Sequence, residues 1–469
     1  MRLVVVGGGI SGLAAAHRAL ELARAQGRAL ALTLLEARPR LGGAIATEHV
    51  DGFLVEAGPD SLLTEKPWAL ALCRRLGLEA RLVPTDARRR TTFVWLGGRL
   101  HPLPEGFQLL APTRWRPFLA SRLFTWRGKA RMALDLVLPR GRATADESLG
   151  AFVARRFGRE ALARVAQPMV AGIYTADPDT LSLAATLPRF RELERRHRSV
   201  ILGLWRARRA PGAAEARGPR WSLFVAPAGG LGELVDALAA RLPPGAVRLG
   251  TAVVALGRAG EGWRVRTADG EVLEADAVIL ATEAHAASRV LRAVDPPLAT
   301  LLQVIPYASS ATVSLGYRRA DVPHPLDGFG FVVPRTEGRA LLACSFASVK
   351  YPGRAPADHV LVRCFFGGAP AAPVLACDDA ALARLAAEEL RAPLGVVAAP
   401  VLVRVHRHPA AMPQYEVGHL GTVEAIERRV EALGGLALAG AAYRGVGIAD
   451  CVRSGEAAAE RVLGAWRAG

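Results

Sequence analysis

Near its N-terminus the chain reads Gly7-Gly8-Gly9-Ile10-Ser11-Gly12, a G-x-G-x-x-G set between two candidate elements. Before it lies the β-branched run Arg2 to Val6; after it, Ile10 to Leu22 reads as an Ala- and Leu-rich helix. In that setting each glycine has a task. The first permits a tight turn, the second lets the backbone approach a pyrophosphate, and the third lets helix and strand pack closely. The phosphates then face the free N–H groups at the helix start. A second apolar run, Leu30, Leu32 and Leu34, ends at Glu36, an acid able to accept hydrogen bonds from a ribose diol. Gly7, Gly9, Ile10, Ser11, Gly12 and Glu36 are therefore expected to hold a dinucleotide; Ala37 and Val253 are counted in the same expected cofactor set. A bare glycine turn is the plain alternative, and the acid closing the second strand argues against it.

The other reactive residue types organise less well. His406 and His408 form an H-x-H that would share one face of a strand, but no third ligand follows at useful spacing. A structural or cavity-rim role is expected there, and no metal. The five cysteines (Cys73, Cys344, Cys364, Cys377, Cys451) are odd in number and lack a C-x-x-C, which argues against a disulfide framework and fits a reducing cytoplasm. Lys and Arg number 60 against 43 Asp and Glu, a net charge of +17 that favours an anionic partner. No nucleic-acid motif accompanies it, which leaves acidic lipid or a carboxylate-bearing substrate.

The elements that must position these residues follow from the patterning. At 469 residues, 51% hydrophobic and 22% charged, the chain is globular and too long for one ordinary core. Its N-terminal glycines would break the apolar helix of a signal peptide, and no uncharged apolar run reaches the ~18 residues of a spanning helix. From about Pro102 to Arg220 the pattern turns helical, rich in Arg with Trp and Phe, and Ala207 to Arg220 reads as a mobile loop. Strand character returns from Arg248, with a hairpin turn at Asp269-Gly270 and a buried strand at Ala277 to Ala281. Leu436 to Ala439 reads as a last short strand, followed by a glycine turn at Gly445 and Gly447 and a helix through Trp466.

Several further blocks carry a resemblance. Arg38-Pro39-Arg40-Leu41-Gly42-Gly43 resembles the R-x-x-x-G-G segment of amine-oxidase-like flavoproteins, with Ala44 where many have Arg. Gly440 to Cys451, through Gly445-Val446-Gly447-Ile448, resembles the closing FAD motif of porphyrinogen oxidases. Gly58-Pro59-Asp60-Ser61, His197-Arg198-Ser199 with Leu202-Gly203, Gly328 to Pro334, and Pro413-Gln414-Tyr415 with Gly418-His419 are similar to other blocks of that family, in its order. The chain is identified as resembling the oxygen-dependent porphyrinogen oxidases over its whole length.

That resemblance implies an α/β fold: a discontinuous Rossmann-like FAD domain (1–85, 220–290 and 434–469), a β-rich substrate domain (86–104, 199–219 and 291–433) and a helical insertion (105–198). It implies FAD as cofactor, held also by Gly42, Gly43, Gly58, Pro59, Asp60, Ser61, Gly445, Val446, Gly447 and Ile448. A helix opening at Gly447 would direct its N–H groups at the reduced flavin. Met169, Gly172, Phe329, Val332 and Phe365 would line an apolar cavity for a flat macrocycle. The resemblance implies hydride transfer from a porphyrinogen to flavin N5, with dioxygen re-oxidising the flavin, so no catalytic side chain is expected. Eukaryotic relatives carry an Arg facing a substrate propionate where this chain has Thr92; Arg88, Arg89 and Arg90 lie just before it. The expected substrate is protoporphyrinogen IX, with coproporphyrinogen III as the alternative. His101 to Arg142 suits lying on an anionic membrane surface, and a solvated basic face explains it nearly as well. A homodimer is compatible with the sequence. An amine oxidase or carotene desaturase on the same fold is the more distant reading, and it would want an aromatic cage or a flavin-linked cysteine where Ala441 and Ala442 stand.

Overall fold

A computed structural model describes residues 1–108, 110–141, 146–209, 223–368 and 371–464. Most of the segment read as a mobile loop, and Trp466, lie outside the described residues.

The buried β-branched runs of the sequence form one five-stranded parallel sheet, in the order Val247–Arg248, Ala31–Leu35, Arg2–Val6, Ala277–Leu280, Leu436–Leu438. Leu3 pairs with Leu32 on one side and Ala277 on the other. The buried positions of these strands are mostly apolar because both faces are covered. Leu3, Val5, Ala277 and Ile279 pack under helices Ile10–Ala25, Pro67–Arg75, Gly232–Ala239 and Ile448–Gly464. Val4, Val6, Val278 and Leu280 face a three-stranded meander (Val253–Ala259, Gly262–Thr267, Val272–Ala275) and helix His419–Leu433. The first and last helices lie so close that a side chain at Gly455 would collide with the Ser11 carbonyl.

A second sheet has seven strands, ordered Leu402–Pro413, Tyr307–Arg318, His359–Gly367, Ala343–Ser345, Gly330–Val332, Thr92–Leu96, Arg99–Pro102. Only Gly330–Val332 and Thr92–Leu96 run parallel. From Ser310 onward its second strand alternates. Ala311, Val313, Leu315 and Tyr317 enter an apolar core under helix Asp379–Leu394, while Ser310, Thr312 and Ser314 face the other way. In register with that polar row stand Arg363 and Phe365 on one side, and Arg404, His406 and His408 on the other. The sheet therefore presents a polar face to the loops of the first sheet.

Between about Trp115 and Arg209 the chain is helical, around a core that includes Phe118, Met132, Phe152, Phe157 and Val170. Inside it Arg156 and Asp135, both fully buried, form an ion pair at 2.5 Å. Ser199 Oγ donates to Asp135 at 2.6 Å and Arg156 donates to the Arg198 carbonyl at 2.7 Å. The His197-Arg198-Ser199 block thus works as an internal joint, with Arg198 in a left-handed turn (φ +66) that breaks one helix before the next begins.

Candidate active site

The helix that opens at Ile10 has Gly9 as its cap, no capping side chain and no acid in its first turn, so its N–H groups are left for a ligand. A side chain at Gly12 would collide with the Gly7 carbonyl, and Gly7 itself takes φ +104. Across from this turn runs the second glycine pair. Gly42 N donates to Gly8 O at 2.9 Å, and a Cβ on Gly43 would lie 3.2 Å from Gly9 Cα. Arg40, the basic residue just before that pair, donates to the carbonyls of Leu41, Gly43 and Ile45 and holds the turn from outside. Glu36 is buried and accepts from Gly8 N at 2.6 Å and Arg38 N at 2.8 Å. Each carboxylate oxygen keeps a lone pair for a diol. Val253 follows directly on the loop whose Thr251 N–H bonds the Glu36 carbonyl, and Ala37 is exposed beside it.

The Gly58–Ser61 segment is fixed from the substrate side. Asp60 meets Lys350 Nζ at 2.8 Å, and Tyr351 donates to Ser61 Oγ at 2.9 Å. Burial pushes the Asp60 carboxyl up, but Lys350 and Arg363 outweigh it and hold it well below the usual carboxylate range. The two histidines of the H-x-H are spent nearby: His406 on Glu48 at 2.6 Å, His408 on the Ala57 carbonyl at 3.0 Å.

The closing turn is held by residues quoted in the sequence only as parts of a block. Tyr415 donates to the Ala441 carbonyl and accepts from Gly445 N at 2.8 Å; His419 bonds the Tyr443 carbonyl at 2.9 Å. Gly445 takes φ +140, and Asp450, in the first turn of helix Ile448–Gly464, is paired with Lys66 at 2.5 Å. Gly447 stays exposed at the mouth of that helix and Val446 turns toward the helical unit.

There Val446 joins the cluster that holds Met169, Val332 and Phe365, three of the five expected cavity residues, with Gly172 beside it. Met169 and Gly172 are three apart on helix Gln167–Tyr174 and so share a face. A Cβ added at Gly172 would lie 3.8 Å from Ala343 Cβ and 4.0 Å from Val332 Cγ1, and Phe365 and Tyr174 complete the wall. Phe329 is not brought into this cluster; its backbone bonds Thr91 and Phe346. Thr92 shares a strand face with Val94, which is in the cluster. The three neighbouring arginines are all exposed, and Arg89 lines a surface cavity of about 230 Å³ with Arg319, Arg354 and His359.

Two glycine turns facing one another, an uncapped helix start, a diol acceptor and an accessible second helix mouth suit FAD. What the sequence reading missed are the residues that hold these turns: Lys66, Thr312, Lys350, Arg363, Tyr415 and His419. The alternation Ser310-Ala311-Thr312-Val313-Ser314 was the one available signal, a strand with a polar side and no solvent reason for it.

Fold and site together define a flavoprotein oxidoreductase. The model of the flavin containing amine oxidoreductases matches residues 10–463. Coproporphyrinogen III oxidase of Bacillus subtilis is 35% identical over 98% of this chain and 97% of its own length. That of Propionibacterium freudenreichii is 36% identical over 99% and 91%, and bovine protoporphyrinogen oxidase 34% over 98% and 98%. A solved structure of a candidate protoporphyrinogen oxidase from Exiguobacterium sp. 255-15 superposes with a TM-score of 0.86 at 32% identity, covering 98% of each chain. Putrescine oxidase shares the fold at a TM-score of 0.68 and 17% identity. The chain belongs to the flavin-containing amine oxidoreductase family and, within it, to the porphyrinogen oxidases, enzymes whose cofactor is FAD. Among the described residues no helix is long and apolar enough to cross a membrane.

Proposed function

We propose that this protein oxidises coproporphyrinogen III to coproporphyrin III, with dioxygen as the final acceptor. The observation that carries a porphyrinogen is the apolar wall of Met169, Val332 and Phe365, with Gly172 beside it, which meets the closing glycine turn at Val446. A flat, largely apolar macrocycle suits such a wall. The choice among porphyrinogens rests on the relatives. The basic, aromatic stretch from His101 favours protoporphyrinogen IX when the sequence is read alone. Relatives at 35% and 36% identity, both named coproporphyrinogen III oxidase, favour the substrate with four carboxylates.

FAD, when bound, supplies the two-electron acceptor, and three rounds are needed per porphyrin, each consuming one dioxygen. The chain's own residues bind and orient. Gly7 to Gly12 offer N–H groups to the pyrophosphate, Glu36 accepts from the ribose, and the helix opening after Gly447 favours negative charge at its mouth. Tyr415 and His419 keep that mouth in place. The macrocycle rests on Met169, Val332 and Phe365, and no side chain acts as nucleophile. In this reading residues 1–85, 220–290 and 434–469 carry the cofactor and the rest hold substrate.

Aerobic oxidation of the FAD-loaded protein with coproporphyrinogen III and protoporphyrinogen IX in parallel, followed by porphyrin fluorescence, tests the reading. Faster turnover of coproporphyrinogen III is expected. Preference for protoporphyrinogen IX would reverse the substrate, and no rate above the spontaneous one with either would remove porphyrinogens altogether.

A second surface follows from exposure. Trp126 is 72% exposed and Val137 66%, with Trp115, Leu119 and Leu134 also exposed among Arg116, Arg122 and Arg127. We propose that this face rests on an anionic membrane. Co-sedimentation with phosphatidylglycerol vesicles, lost in Trp126→Ala, is the expected result; equal recovery with neutral vesicles would refute it.

A further inference from the structure

One backbone oxygen in the site is bonded more heavily than holding a loop requires. Ala57 O accepts from Thr312 Oγ1 at 2.9 Å, His408 Nε2 at 3.0 Å and Arg363 Nη2 at 3.3 Å, three donors from three neighbouring strands of the seven-stranded sheet. A carbonyl oxygen has two lone pairs. Because a carbonyl only accepts, this contact also places the His408 proton on Nε2. Arg363 reaches on to the Gly58 carbonyl.

The consequence falls on the other end of the same peptide. No peptide bond in the described chain is cis, so the Gly58 N–H points opposite to the clamped carbonyl, away from the sheet. Among the described residues it meets no protein acceptor. Polarising a carbonyl strengthens the N–H across the amide as a donor. Gly58 lies against Ala44, at the end of the Gly42–Gly43 turn that opposes Gly9, and any side chain at Gly58 would strike the Ala44 carbonyl. The free N–H therefore opens where the cofactor-holding turns converge.

The charges near it do not balance. Among the described residues, Lys350, Arg354 and Arg363 share two carboxylates, Asp60 and Glu56. Arg363 is only 4% exposed, its Nε has no partner, and its guanidinium stacks over Phe365 at 4.8 Å. A cation is thus buried beside the substrate wall without full compensation.

We propose that the Ala57–Gly58 peptide is a preorganised hydrogen-bond donor to the isoalloxazine, that Thr312, Arg363 and His408 are its positioning residues, and that the surplus charge of Arg363 favours the reduced cofactor. Donors fixed before charge develops lose no energy to reorganisation when it does. The inference rests on the FAD reading of the site.

The test is the midpoint potential of FAD bound to the full chain, with its dissociation constant, in wild type, Arg363→Met, Arg363→Lys and Thr312→Val. Arg363→Met is expected to make reduction at least tenfold less favourable, about 30 mV more negative for a two-electron couple. Arg363→Lys restores most of it, and Thr312→Val shifts it less in the same direction. A clamp that merely held the loop would lower thermal stability and leave the potential alone, and that result overturns the proposal. Should Arg363→Met not fold, an unchanged potential in the near-isosteric Thr312→Val has the same force. A wild-type chain that takes up no FAD would instead sink the flavoprotein reading itself.

Discussion

Tyr415 stacks on His419 with ring centroids 4.0 Å apart and planes 13° from parallel, and both polar ends reach the same turn, at Ala441, Tyr443 and Gly445. One pair of rings from the end of the substrate sheet thereby fixes the mouth of the last cofactor helix. Tyr415→Phe leaves the Gly445 N–H and Ala441 carbonyl without their partner, a loss of about 1–3 kcal/mol. Weaker FAD binding with little change in the oxidised spectrum is expected. Flavin fluorescence titration measures it, and undiminished affinity would mean the turn holds itself.

Gly12→Ala has no room, since its Cβ collides with the Gly7 carbonyl in the phosphate turn. The variant is expected to lose FAD while keeping most of its helix content. Flavin content after desalting, beside far-ultraviolet circular dichroism, decides the matter; full flavin occupancy would show that the pyrophosphate lies elsewhere.

Gly172 packs beside Val332 and Ala343, where an added Cβ would just touch both. A bulky side chain there, as in Gly172→Phe, should raise KM for the porphyrinogen about tenfold, near 1.4 kcal/mol, with FAD content unchanged. Unaltered KM in steady-state kinetics would move the macrocycle away from this wall.

Asp135→Asn leaves the buried Arg156 with Glu194, at 3.3 Å, as its remaining carboxylate and should cost up to about 3 kcal/mol. The damage is expected in the helical unit, as a lower Tm, with the FAD potential unchanged. A potential that moved would tie this joint to the flavin.

Acid should destabilise the protein early. Burial lowers the pKa of His408 and His419 below the ordinary 6.5, against their bonds to the Ala57 and Tyr443 carbonyls. The unfolded chain takes up these protons first, so stability present at pH 7 declines as pH drops below about 6.5. Asp60 adds a loss only in stronger acid, since its folded pKa is depressed. Tm measured from pH 7 to 5 should fall, and His419→Gln should flatten the slope; a Tm rising over that range would contradict the burial of these rings.

Much of this was legible in the residues because it is local. The Gly7–Gly12 turn, the strand ending at Glu36 and the meander around Asp269-Gly270 follow from short-range rules of sterics and patterning, and each lies where those rules predict. The parallel sheet was likewise legible, since strands covered on both faces are mostly apolar. Met169, Gly172, Val332 and Phe365 could be named from the blocks they stand in, although Phe329, named with them, does not join their cluster. The tertiary structure alone decided which polar residues do the holding. Thr312, Arg363 and His408 are far apart in the chain and converge on one carbonyl only because three strands align in register. It also turned Arg89 to a surface cavity and made Ser199 a partner of Asp135. Local sequence encodes turns and faces; which faces meet depends on long-range pairing, and no spacing within a short window records it.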